Sequence, residues 1–89
     1  MCRSIKTLFN FEPPATDDEV RAACVQFVRK LSGFTQPSRD NAPIFDRAVE
    51  DTFQVARRLV DTLTTSSPPR DRVVEAAKAR ERAVKRYGA

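Results

Sequence analysis

The residue best suited to chemistry stands at the start of the chain, which opens MCRSIKTLFNFEPPAT. Cys2 follows the initiator methionine, and a small second residue permits that methionine to be removed. The product would carry an α-amine and a thiol on one residue. An α-amino group titrates near neutrality, so it can act as a base beside the sulfur. Arg3 and Lys6, close in sequence, favour the thiolate. This points to a nucleophilic or redox role for Cys2. Against it stand the absence of any histidine, the lack of an oxyanion motif, and the small room 89 residues leave for enclosing a substrate. The plainer reading makes Cys2 a small apolar plug on a docked arm. No catalytic residue is assigned, and Cys2 is the candidate.

Other chemistry-bearing residues carry local explanations. Cys24 falls on an apolar stripe and reads as core, since free cysteine is among the most buried residue types. A Cys2–Cys24 bridge needs a distance that sequence does not supply. Two thiols without histidine make no zinc site, and no EF-hand pattern is present, so no metal or cofactor is expected. Asp17, Asp18 and Glu19 cluster in a helical first turn, where the helix dipole favours negative charge. The net charge is +4, and the excess lies after residue 66, where seven basic residues face three acidic ones. Lys78, Arg80, Arg82, Lys85 and Arg86 are the candidate partner contacts there. Arg80 falls in the middle of an apolar stripe, so it snorkels to solvent, meets a carboxylate of its own bundle, or faces an acidic partner. The first and third helices nevertheless begin acidic and end basic, and the second repeats this loosely, with Asp46, Glu50 and Asp51 early and Arg57 and Arg58 late, which dipole complementation and solubility explain without a ligand.

The elements that must position these residues are three helices and an arm. Thr16 with Asp17, Asp18 and Glu19 forms a capping box, with Ala15 and Val20 placed as a staple. Val20, Ala23, Cys24, Phe27, Val28 and Leu31 then recur at helical spacing, and Gly33 supplies the left-handed stop. A second helix starts near Asn41, with Pro43 tolerated in its first turn. Its stripe of Phe45, Val49, Thr52, Ala56, Leu59 and Leu63 is widened by Ala48, Phe53, Val55 and Val60, as in the central helix of a bundle. TTSSPP breaks the chain, with Ser67 and Pro68 suited to N-cap and first helical position. The third helix ends at Gly88 and offers a thin inner face of Val73, Ala76, Ala77, Ala83, Val84 and Tyr87. In the arm, Ile5, Thr7, Phe9 and Phe11 alternate like a strand, but no second strand candidate is evident. An extended or short helical segment covering one end of the bundle is expected.

These readings predict an all-α domain over 1–89: a three-helix antiparallel bundle with helices near 17–32, 42–64 and 69–87, and an arm over 1–15. No stretch approaches a membrane span, and Lys6, Asn10 and Glu12 interrupt any signal-peptide core. Two cysteines without a disulfide framework fit a reducing interior, so a cytoplasmic location is expected.

The opening MCRSIKTLFNFEPPAT, the stretch VQFVRKLSGFTQPS and the PPRDR before an Ala- and Arg-rich end together resemble a family of small bacterial proteins catalogued as domain of unknown function 2277. The resemblance implies a bacterial, stand-alone, mostly helical protein, and it supplies no activity, ligand or site residue. The function expected first is a non-enzymatic interaction module whose partner is another protein or a second copy. A thiol role for Cys2 comes second, and nucleic-acid binding through the basic last helix third. No membrane partner is expected.

Overall fold

A computed structural model describes residues 5–87. In chain order the elements are β1 (Phe11–Glu12), α1 (Asp17–Ser32), α2 (Ala42–Thr62), β2 (Arg70–Asp71) and α3 (Arg72–Tyr87). Helix α1 begins where its capping box requires. The Glu19 amide donates to Thr16 Oγ1 at 3.2 Å, and the Thr16 amide donates to the Glu19 carboxylate at 3.0 Å. Gly33 closes the helix at φ 78°, its N–H donating to the Arg29 carbonyl. This is the left-handed cap that glycine adopts without Cβ strain. Pro43 sits in the first turn of α2, where its missing N–H costs no helical hydrogen bond.

Helices α1 and α2 form an antiparallel pair. Arg57, late in α2, reaches the Ala15 carbonyl and the Asp17 carboxylate at the start of α1. One helical stretch on, Arg21 bonds Glu50 at 2.8 Å and lays its guanidinium 4.2 Å from the Phe53 ring centroid. The buried core is Ala15, Val20, Cys24, Val28, Val49 and Phe53. Leu8 of the arm packs against it, so the arm does cover the core. Each such large side chain contributes about 1.5–3 kcal/mol when fully buried.

Two expectations are corrected. The arm does pair with a second strand: β1 runs parallel to β2, with Phe11 opposite Arg70 and Glu12 opposite Asp71. The Arg70 amide donates to the Asn10 carbonyl at 2.8 Å, and Asn10 Nδ2 donates to the Pro68 carbonyl at 3.1 Å. Asn10 holds φ 65°, a conformation asparagine tolerates better than most residues. The partner strand, Arg70–Asp71, is too short to leave an alternating pattern in the sequence, which is why this pairing is not legible there. Nor do Ser67 and Pro68 open the third helix. Asp71 caps α3 by accepting from the Val74 amide at 3.1 Å, because residues 70–71 are held in the ladder.

Candidate functional site

Helix α3 is held to the rest by one side chain above all. Arg72 donates through Nη1 and Nη2 to the two Glu19 oxygens, at 2.7 and 2.9 Å, and through Nε to the Pro13 carbonyl at 2.8 Å. The fork is the bidentate geometry a guanidinium offers a carboxylate. Glu19 therefore closes the capping box of α1 and anchors α3 with the same carboxylate. Its pKa is lowered from 4.5 to about 2, first by the Arg72 hydrogen bonds and then by the Thr16 amide, against a smaller opposing effect of burial. Arg72 and Arg70 also each stand 5.7 Å from the Phe11 ring centroid.

This anchor sets the rotation of α3 about its axis. Glu75, Ala76, Ala79 and Arg82 share the face of Arg72 and line a cleft of about 470 Å³ with Lys6, Thr7, Leu8, Phe11 and Arg70 of the arm and β2. The opposite side carries Val73, Ala77, Arg80 and Val84. Val73 is 76% exposed and Val84 50%. Sequence periodicity grouped Ala76 with Ala77 on one inner face, but the anchor turns Ala76 toward the cleft and leaves the valine stripe outside. Arg80 accordingly lies in solvent, in a shallow depression with Ala77, Glu81, Val84 and Lys85.

A second concavity opens where the end of α1 meets the start of α2. It measures about 390 Å³ and is nearly all apolar, lined chiefly by Phe27, Leu31, Phe34, Ile44, Phe45 and Ala48. Leu31 is 72% exposed, Ile44 70%, Phe27 44% and Phe34 43%. The α1 stripe is thus wider than the partner helix covers, and its C-terminal end is left open.

The remaining candidates sit as follows. Cys2 and the side chain of Arg86 lie outside the described residues. Cys24 is buried and free, and burial pushes its thiol upward against a smaller effect of Arg21. Asp17, Asp18 and Glu19 do not converge on a ligand: Asp17 meets Arg57 and Glu19 meets Arg72. Among the described residues no three His, Cys, Asp or Glu side chains gather as a metal set, and no helix is long and apolar enough to cross a membrane. Lys78 lies 3.8 Å from Glu75, while Arg82 and Lys85 are exposed. Sequence reasoning missed Arg72, which reads as one more cation in PPRDR. Nothing local to it announces a partner 53 residues away.

Comparison with curated proteins and with solved structures returns no match. A family model does match, over residues 1–78, a span that takes in the arm, the α1–α2 pair, the Glu19–Arg72 anchor and the first turns of α3. On that match the chain belongs to the family described as "Uncharacterized conserved protein (DUF2277)".

Proposed function

We propose that this chain is a small, non-enzymatic interaction module of the bacterial cytoplasm that self-associates through the apolar groove. The observation that carries the reading is the groove itself: four large apolar side chains exposed side by side around one concavity. Contiguous apolar surface of this kind marks an interaction site. The occupant is a second copy, because the same chain also exposes a complementary ridge, the Val73–Val84 stripe of α3. Laid in the groove of a neighbour, that stripe completes in trans the antiparallel three-helix packing the sequence implies. Arg80 and Lys85, which flank Val84, then meet the acidic side of α2, where Asp46 stands beyond the Arg21–Glu50 and Arg47–Asp51 pairs.

Sedimentation equilibrium tests this. The wild-type chain is expected to associate with rising concentration, and Leu31→Glu and Val84→Glu each to yield a monomer with unchanged helical circular dichroism. Because one substitution spoils the groove and the other the ridge, mixing the two variants should restore a dimer through the one intact groove–ridge contact. A wild-type chain still monomeric at about 1 mM, where association worth only about 4 kcal/mol would already show, refutes the proposal.

A further inference from the structure

The cleft between the arm and α3 lies away from the groove and from the exposed valine stripe, and it has a different chemical character. Four cations line it, Lys6, Arg70, Arg72 and Arg82, against two carboxylates, Glu19 and Glu75. Glu19 is already taken by Arg72, and Glu75 has Lys78 at 3.8 Å. Among the described residues Lys6, Arg70 and Arg82 have no carboxylate within ion-pair distance. Crowding three unpaired cations around one concavity costs repulsion, and a bound anion relieves it. The floor between them is apolar, made by Leu8, Phe11, Ala76 and Ala79.

From this arrangement we infer that the cleft binds a small phosphate monoester with a compact apolar or planar body. The three cations left unpaired, Lys6, Arg70 and Arg82, more than offset the charge of about −1.5 to −2 that a phosphate monoester carries at neutral pH. Arg72 uses one N–H on each terminal nitrogen for Glu19 and its Nε for Pro13, which leaves two donors. Arg70 stands over the Phe11 ring, so its guanidinium is held at the mouth of the cleft rather than dispersed in solvent. Arg72 is a positioning residue, fixed by Glu19, while Arg70, Arg82 and Lys6 supply the charge that meets the ligand. The apolar body rests on Phe11 and the two alanines. At about 470 Å³ the cleft has the volume of ordinary small-molecule sites.

The test is an amide-resolved NMR titration of the full chain at physiological ionic strength with phenyl phosphate, inorganic phosphate and phenol. Phenyl phosphate is expected to give saturable shifts at Leu8, Phe11, Ala76 and Ala79, inorganic phosphate to bind more weakly at the same amides, and phenol not to bind. Arg70→Ala and Arg82→Ala, both at exposed positions, should each weaken phenyl phosphate about tenfold and leave sedimentation unchanged. That separates this inference from self-association. Affinity should also fall as pH drops through about 6, where the ester loses its second charge. Linear, unsaturated shifts spread over Lys78, Arg80 and Lys85, equal affinity for phenyl phosphate and inorganic phosphate, or wild-type affinity in both arginine variants would each overturn the inference.

Discussion

Replacing Arg72 with methionine isolates the contact on which the placement of α3 depends. The substitution keeps an unbranched apolar stem and removes three hydrogen bonds, two to Glu19 and one to the Pro13 carbonyl. The lowering of the Glu19 pKa from 4.5 to about 2 corresponds to about 3 kcal/mol. Solvent reaches this pair, whose side chains are 31% and 22% exposed, and hydrogen bonds to a charged group contribute about 1.5–3 kcal/mol, so losing the fork is expected to cost about 2 kcal/mol. A loss of that size shifts the equilibrium between docked and released α3 about thirtyfold. Once released, a helix of 16 residues is marginal in water, so α3 frays. Residue-resolved amide hydrogen exchange reads this directly. Protection over Ala76–Lys85 should fall about thirtyfold, while amides of Cys24, Val28 and Phe53 keep wild-type protection because the α1–α2 core is untouched. In the same variant the Glu19 carboxyl should titrate higher, yet below its usual 4.5, since the Thr16 amide still donates to it. The pH dependence has a definite sign. Glu19 ionises more readily in the folded chain, so its contribution is fully present above about 4.5 and is lost as pH falls toward 2. Unchanged protection in α3, equal losses in α3 and in the core, or a wild-type Glu19 titrating in the ordinary carboxylate range would refute the reasoning.

Two further outcomes follow from the same structure. Thr16→Ala removes the acceptor for the Glu19 amide and should cost about 1 kcal/mol in urea denaturation; an unchanged midpoint would show the box to be idle. Cys24 should resist iodoacetamide at neutral pH until denaturant is added, because it is buried and its thiol is pushed upward; alkylation at the rate of a free peptide thiol would contradict the core assignment.

The candidate site is only partly legible in the sequence. The apolar groove follows from Phe27, Leu31 and Phe45, all of which periodicity places on inward stripes, although not from any sign that the stripes overrun one another. The sequence marks Glu19 as a capping residue and hides its second task, because capping already accounts for a glutamate at that position. Phe11 belongs to an alternating arm; its association with Arg72 and Arg70 depends on β1 and β2 meeting in register.

What the sequence determined by itself was the helices, their class and most of their ends. The capping box at Thr16, the left-handed stop at Gly33 and Pro43 in a first turn act on neighbours three or four residues away, so the information is local. Tertiary structure alone decided where α3 begins, which of its faces looks inward and where the apolar surface stays uncovered. Those outcomes hang on a carboxylate 53 residues from its arginine and on a two-residue ladder across the chain. A helix's rotation about its own axis is set by whatever holds it, and here that grip is polar, so the apolar periodicity pointed to the other face.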